Sequence, residues 1–582
     1  MTNSVYGIAL SGLNAARSGL STTSNNIANV NTVGYNRQQS IQNARPANSV
    51  GSEFIGQGVD VQSVERVYSE FVAAQQEKAT SESAFFTAKY DQVSRIDGII
   101  ADEASGLASA MNDFFNSAQV LSNDPANMSA RQNYLSSAES LAARFNGINT
   151  VMDDLRFATD LKVTDAVDRI NNATTQIAEL NSRITAYTSE SNNRGLPNDL
   201  LDQRDKLVVE LAEQVQITKV NLSDGSVNLF MGNGQPLVVK DDSFKVTTLR
   251  DPEDPENLLV GVNRKINGEE RLISFDADSL GSGALAGYLS FREDELSEYQ
   301  NTIGLIAAQI GSSINTLQQG GVDLAGAAGT EMFSFGASLN PIDDYSRVNP
   351  NAYNDDANPI SLTLNSLDLS KVTGDDYEIL IRDNGGVPTP QFRIAGEGGK
   401  FVDLAQVPAG SGNFVVPDVA GNPVLSFGLG ALAGSNIGDR FTVMPTRDAA
   451  RNISVAFSRP ELVAAASAAD AQPGNNENIL AIAGLQSKGA LFQNFNPKGV
   501  SVSDAFNQLV SRVGNKTREL EVSSEARQSV LAQIVETRDA QSGVNMDEEA
   551  ANLLKYQQAY QAAGRVISLS KEMFDQILGI FR

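Results

Sequence analysis

The sequence predicts a multidomain α plus β protein: a coiled-coil-like helical stalk built from both termini, with two inserted all-β lobes. Three observations carry that reading. Apolar residues at both chain ends recur at the alternating three- and four-residue spacing of a coiled coil. The same seven-residue period returns in two internal stretches. Two further segments show every-second-residue alternation and are dense in Gly and Pro, the pattern of short strands.

At the N-terminus, Tyr6, Ala9, Leu13, Ala16, Leu20, Thr23, Ile27 and Val30 form one helical seam. Asn25, Asn26, Asn29 and Asn31 follow, and their side chains favour turns and local hydrogen bonds over helix interior. Gly34 takes backbone angles closed to other residues, so the helix must break near it. Residues 66–215 read as helix, with Val163, Ile170, Ile177 and Ile184 repeating every seven and a break at Gly195 and Pro197. Over 216–285, Val227, Leu229 and Met231 alternate, and Asn267-Gly268 marks a hairpin turn.

Helix is expected again over 288–319, where Leu296, Ile303, Ile310 and Leu317 fall every seven residues. A second β segment spans 335–455: Tyr377, Ile379 and Ile381 alternate into Asn384-Gly385-Gly386, then Phe392 and Ile394. Helical sequence resumes near 500. At the C-terminus Leu553, Tyr560, Ile567, Phe574 and Phe581 recur every seven, with Tyr556, Ala563, Ser570 and Ile577 between them. Asn545 with Glu548 reads as an N-cap and capping box, and the helix it opens would run roughly 55 Å at 1.5 Å per residue. The expected division is 1–35 with 545–582 as a terminal coiled-coil domain, and 36–215 with 288–334 and 456–544 as a helical stalk. Residues 216–287 form the first β lobe and 335–455 the second.

Composition narrows the chemistry. The 582 residues carry a formal charge of −26 and contain no Cys, His or Trp. Disulfides, thiolate metal sites and Cys or His catalysis are therefore excluded. An acidic surface repels phosphate backbones and anionic lipid, so neither nucleic acid nor membrane insertion is expected. The first residues lack the basic start and apolar core of a cleavable signal, and no run of about 18 apolar residues suggests a span. The acidic stretch Asp251–Glu256 carries two prolines and lacks the ligand spacing and central Gly of an EF-hand loop. Glycines at 281, 283 and 287, and at 428, 430 and 434, miss the dinucleotide fingerprint by one residue. No catalytic, metal or cofactor site is expected.

The string SNNIANVNTVGYNRQ at 24–38, preceded by ALSGLNAARSGLSTT, resembles the N-terminal signature of the flagellar axial proteins: rod, hook and hook-associated protein 1 subunits. Asn25, Asn26, Asn29, Gly34 and Tyr35 carry that signature. SGVNMDEEAANLLKYQQAYQAAGRVI at 542–567 is similar to the end of the hook-associated protein 1 family, as are LDQRDKLVVELAEQV at 201–215 and FSRPELVAAAS at 457–467. Val33 stands where that family often has proline, and Gly564 where it has a small helix former.

The resemblance implies a structural subunit that self-associates at the tip of the hook, between hook protein below and hook-associated protein 3 above. It also implies export through the flagellar channel with a chaperone at the C-terminal region. A hook or rod subunit is the neighbouring alternative; a secreted adhesin or wall-cleaving enzyme is the distant one. The expected assembly seam comprises Leu13, Leu20 and Ile27 with Leu553, Tyr556, Tyr560, Ile567, Phe574 and Ile577. Ordering thirty residues costs on the order of 1–2 kcal/mol each, while a buried large apolar side chain returns only about 1.5–3 kcal/mol. The terminal arms are therefore expected to be disordered in the free subunit and to fold on assembly.

Overall fold

The computed structural model describes residues 2–580 apart from 51–52, 101–105, 191–196, 252–256, 267–268, 337–346, 352–353, 355–358, 370, 373, 396–399, 407–411, 418–422, 430–435, 490 and 493–498. Most of the acidic 251–256 stretch, the 267–268 turn, Gly195 and the glycines at 430 and 434 lie outside the described residues.

The chain begins with helix α1 (Thr2–Ala28). It then makes a ribbon over 38–66 that placing 36–215 in a helical stalk does not foresee: β1 (Gln38–Ala44) pairs antiparallel with β4 (Val59–Arg66), and between them lies the short hairpin β2 (Asn48–Val50) and β3 (Glu53–Ile55). Strand β1, QQSIQNA, is mostly polar, and in β4, VDVQSVER, the apolar alternation is confined to Val59 and Val61, too short to announce a strand pair. Four helices follow: α2 (Glu70–Ile100), α3 (Leu107–Asn123), the long α4 (Met128–Glu190) and α5 (Asn198–Gln214). Along α4 the seven-residue stripe Val163, Ile170, Ile177 and Ile184 is fully buried.

Strands β5 (Ile217–Asn221), β6 (Val227–Met231), β7 (Pro236–Val239) and β8 (Asp242–Ser243) form one antiparallel sheet. Strands β9 (Thr247–Arg250), β10 (Leu258–Ile266) and β11 (Glu269–Phe275) form another. The strands expected over 216–287 as an inserted β lobe bury their apolar faces on the adjoining helices. Val227, Leu229, Met231, Leu237, Val238 and Val260 share one apolar core with Val163, Ile170 and Ile177 of α4 and Val208 and Leu211 of α5. Alternation in the sequence identified the strands, but a sheet buries its apolar face against whatever lies opposite, and here that is helix.

After one helical turn, α6 (Ala277–Leu280), helix α7 (Ala284–Ser290) runs through a π-helical turn at Phe291–Leu296 into α8 (Ser297–Gly320). Two close approaches are possible only because glycine lacks a side chain. A Cβ on Gly304 would lie 2.0 Å from the Thr446 carbonyl oxygen, and one on Gly311 would lie 2.4 Å from the Phe335 ring. Small pairings β12 (Gly321–Val322) and β13 (Phe333–Ser334) follow, each joined to a later strand.

Strands β14 (Arg347–Pro350), β15 (Leu362–Leu367), β16 (Tyr377–Asn384), β17 (Val387–Ile394), β18 (Val402–Asp403), β19 (Ala405–Gln406), β20 (Asn413–Pro417), β21 (Pro423–Leu429) and β22 (Arg440–Met444) make two sheets. Their orders are β14-β22-β16-β17-β18 and β15-β21-β20-β19. They pack face to face over a core of their own, including Ile379, Ile381, Phe414, Leu425 and Phe427. This unit is pinned to α8 by Asp376, which accepts from Asn301 Nδ2 at 3.0 Å and pairs with Arg447.

Residues 456–501, placed with the helical stalk by the sequence, are mostly irregular among the described residues. Around and within them lie the short helices α9 (Ala449–Asn452) and α10 (Glu477–Gly484) and a 3-10 turn at Pro460–Leu462, with β23 (Ser454–Val455) pairing with β13 and β24 (Ala466–Ser467) pairing with β12. Helix α11 (Val502–Ser542) then lies along α2, and α12 (Met546–Ile580) returns to α1. The largest core joins α2, α3, α4, α8, α10 and α11 through Phe114, Phe115, Tyr134, Phe145, Phe291 and Phe492.

Candidate assembly interface

Helix α1 is held between two partners. One face meets α12 and another meets the ribbon, which sequence reasoning had missed. Toward the ribbon, Ser18 Oγ and Ser40 Oγ are 3.3 Å apart, Gln42 Nε2 donates to Ala15 O at 3.4 Å, and Val59 N donates to Ser11 Oγ at 3.1 Å. Toward α12, the ring of Tyr556 lies over Gly19 so closely that a Cβ there would be 2.6 Å from it. Seven residues on, Asn26 Nδ2 donates to Glu549 Oε2 at 3.1 Å. Moving forward by seven on α1 moves back by seven on α12, so the two helices are antiparallel.

Asn26 is the centre of a buried polar node and is 1% exposed. Its Oδ1 accepts from Tyr35 Oη at 2.8 Å and from Gln38 N at 2.9 Å. Its Nδ2 donates to Gln38 O at 2.9 Å as well as to Glu549. Every hydrogen-bonding position of a primary amide is used. The side chain thus pairs with Gln38 as a neighbouring strand would, and it ties helix, turn, ribbon and α12 together. Asn25 Nδ2 donates to Tyr35 Oη at 3.2 Å, while Asn29 Nδ2 donates back to Asn25 O at 3.0 Å and Oδ1 at 3.1 Å, closing the end of α1. Gly34 has φ +87°, the left-handed conformation that reverses the chain into Tyr35.

The node continues into the body. Asn36 donates from its backbone N at 3.1 Å and from Nδ2 at 2.6 Å to Asp202 on α5. Asp202 also accepts from Arg66 at 2.9 Å, and Arg66 lies 2.8 Å from Asp205. Burial pushes the Asp202 carboxyl above its ordinary value, against the opposing pull of Asn36 and Arg66. Burial, followed by the charges of Asp199, Asp202 and Glu549, pushes the Tyr35 phenol far above its ordinary value, so it stays a proton donor to Asn26. Asn545 caps α12, accepting from Asp547 N at 3.0 Å. Glu548 does not fold back to complete the expected capping box. Its carboxylate instead accepts from Arg37 at 2.6 Å, and Arg37 N donates to Ser542 O at 2.8 Å. The cation of Arg37, just before β1, outcompetes a local amide for an exposed carboxylate.

The expected seam is only partly assembled within the chain. Leu13, Leu20, Ile27, Leu553, Tyr556 and Ile567 are half-buried, but Tyr560 is 42% and Phe574 46% exposed. The Ile577 side chain lies outside the described residues. An antiparallel pair with small residues on one side, Ala9, Ala16 and Gly19, cannot cover every large residue on the other. A second outward stripe was not marked in advance: Val566, Leu569 and Met573, at i, i+3 and i+7 of α12, are exposed. Its signal was present as three apolar residues one step off the seam.

No group of three acidic residues among the described ones is placed to hold a metal, and no described helix is long and apolar enough to cross a membrane. An open cleft of about 490 Å³ beside the node is lined by Arg66, Tyr68, Asn198 and Arg204 among others. Its Arg66 is already engaged, paired with Asp202 and stacked 4.3 Å over the Tyr68 ring.

Comparison with known proteins bears on the same elements. Residues 93–333 match the family described as flagellar hook-associated protein FlgK helical domain. Residues 8–36 match flagella basal body rod protein, and 538–580 match the flagellar basal body rod FlgEFG protein C-terminal family. Flagellar hook-associated protein 1 of Escherichia coli is 32% identical over 99% of this chain and 100% of its own. The Bacillus subtilis protein of that name is 25% identical over 99% and 98%. The fold is shared with the flagellar hook junction protein FlgK from Burkholderia pseudomallei, at TM-score 0.67 and 22% identity, over 80% of this chain and 99% of that one. With α1, its signature turn and α12 falling in the rod-protein families, and the body in the FlgK helical family, the chain belongs to the flagellar hook-associated protein 1 family.

Proposed function

We propose that this chain is a structural subunit of the bacterial flagellum at the junction of hook and filament, and that copies assemble through the α1–α12 pair. The observation that carries the reading is the row of large apolar side chains left open along α12. Leu554, Tyr560, Val566, Leu569, Met573 and Phe574 are between 41% and 57% exposed, and Val5 and Tyr6 are open on α1. Val566, Leu569 and Met573 share one stripe at i, i+3 and i+7, and an apolar stripe left open on a surface marks an interaction site. In the assembly the occupant is the terminal pair of a neighbouring copy, and each copy covers what the other leaves open. Burial there supplies the free energy that the small-residue contact with α1 lacks, so ordering of the termini is completed on assembly. The neighbours along the axis are hook protein and hook-associated protein 3, and the export chaperone holds the C-terminal region before assembly. The role is structural, and the relatives are structural flagellar proteins with no catalytic family among them.

The test is capping of isolated hooks that lack this subunit, with purified protein added from outside so that export plays no part. Leu569→Asp and Phe574→Asp place a charge in the proposed contact at a cost of several kcal/mol. They should keep the melting behaviour of the body and fail to cap. Normal capping by both variants would overturn the reading. In cells, deletion should leave hooks intact while flagellin appears in the medium.

A further inference from the structure

Helix α1 contains an internal repeat. Ser-Gly-Leu stands at 11–13 and again at 18–20, one heptad apart. Both copies face the same two partners: Ser11 and Ser18 each meet the ribbon, at Val59 and Ser40. Gly19 receives the Tyr556 ring, while nothing lies within 4 Å of where a Cβ on Gly12 would be. A ring slid by one heptad would find at Gly12 the same missing side chain, flanked by the same Ser and Leu. The buried small residues Ala9, Ala16 and Thr23 also stand a heptad apart, and so do the half-buried Leu13 and Leu20, so they discriminate little between registers. The small-residue face of α1 therefore offers α12, and the ribbon too, two nearly equivalent alignments.

We infer that Asn26 is the positioning residue that breaks this degeneracy and sets the register of both partners of α1 at once. It has no counterpart a heptad earlier, where Gly19 stands. Two of its bonds go to the N–H and C=O of Gln38 and fix the ribbon; a third goes to Glu549 and fixes α12. If Tyr556 moved to Gly12, Glu549 would face Gly19, which has no side chain to donate. Glu549 is 2% exposed, so its carboxylate would stay buried without that bond. The amide of Asn26 would meanwhile lose its acceptor on α12. A polar residue at one seam position specifies register in this way in coiled coils. The exposed Arg37–Glu548 pair acts at the same level and in the same sense, but exposed pairs contribute little. The outer part of α11, mostly exposed over 525–541, can unwind to supply the chain that a slip requires. This inference concerns the pair within one chain and stands whether or not the pair is the assembly surface.

The absence of cysteine makes the test clean. Nitroxide labels on cysteines introduced at the exposed positions Ser24 and Lys571 report the alignment of α1 and α12 as a distance distribution in the full chain. The parent should give one distance. Asn26→Leu should add a second, longer by about 10 Å, the rise of seven helical residues. Glu549→Leu, which removes only the link to α12, should add the same longer distance and serves if Asn26→Leu does not fold. Glu549→Gln keeps an acceptor and should retain the single distance. Adding Gly12→Leu to either slipping variant fills the decoy site and should restore the parental distance. A single unchanged distance in Asn26→Leu and Glu549→Leu would overturn the inference. So would a second distance that persists with Gly12→Leu, because the population would then not be the heptad slip.

Discussion

The body and the terminal pair are held by different means. In the body, Phe114, Phe145, Phe291 and Phe492 are wholly buried and touch side chains from several helices. In the terminal pair, none of the buried apolar clusters found among the described residues reaches α1 or α12. Contact there rests on a ring over a glycine, on alanines, and on one amide with all its hydrogen bonds made. Large buried side chains give stability and tolerate rough geometry. Hydrogen bonds and glycine contacts give geometry with little net stability. A subunit that folds before it assembles is served by keeping these two properties in separate regions.

The sharpest contrast lies between two phenylalanines. Phe145→Ala should cost about 3–5 kcal/mol and lower the melting temperature of the whole body. Phe574→Ala should leave the melting curve in place, because its side chain is already half open, and should reduce only hook capping. Equal effects of the two on the melting curve would erase the distinction between the regions.

A slightly smaller effect separates the two β regions. Leu229 lies in a core shared with α4, so Leu229→Ala should cost about 2–5 kcal/mol and lower the same transition as Phe145→Ala. Phe427 belongs to the core of the 347–444 unit alone. Phe427→Ala should therefore weaken that unit and leave protection of the α2–α4 amides unchanged in hydrogen exchange. Loss of protection in those helices would show that the unit is not energetically separate.

These regions were unequally legible in the sequence. Seven-residue stripes such as Val163, Ile170, Ile177 and Ile184 announce a helix because burial on one face demands that spacing, whatever the partner. The β1–β4 ribbon is hard to see for the opposite reason: the one buried residue of these two strands is Ser40, which meets Ser18 of α1 rather than an apolar core. The strands of 217–275 were readable, but the helix they pack on was not, because alternation records that a face is buried and not against what. The chemistry of Asn25, Asn26, Asn29 and Gly34 announces a helix end, although α1 runs on through Asn25 and Asn26 to Ala28, and Tyr35 is marked only by the family signature. That Asn26 reaches Glu549, 523 residues away, depends on chain geometry that no local pattern contains.

At the node itself the expected effects shrink further. Asn26→Ala strips partners from Gln38 and Tyr35 and leaves buried groups unpaired, at about 1–3 kcal/mol for such a loss. The change should appear as faster amide exchange in α1, the ribbon and the first turns of α12, with the body unaffected. Slower or unchanged exchange at these sites would mean that the node is not what orders the pair.

The smallest effect is one of pH, and its sign distinguishes the node from an ordinary surface ion pair. Asp202 accepts from Asn36 and Arg66, yet burial raises its carboxyl above the unfolded value. The folded chain therefore binds this proton more tightly than the unfolded chain does. Stability from this group is fully present below the unfolded Asp value and is lost as pH rises through the raised folded one. A surface pair, such as Arg45 with Asp60, has a lowered carboxyl and runs the other way, losing its contribution as pH falls. Asp202→Asn removes the titration while keeping an acceptor for Arg66 and the Asn36 amide. Subtracting the stability of Asp202→Asn from that of the parent, measured by denaturant unfolding across the range just above the usual Asp value, should give a difference that declines as pH rises. A difference that grows with pH would show that Arg66 and Asn36 outweigh burial, making the link between ribbon and α5 an ordinary salt bridge.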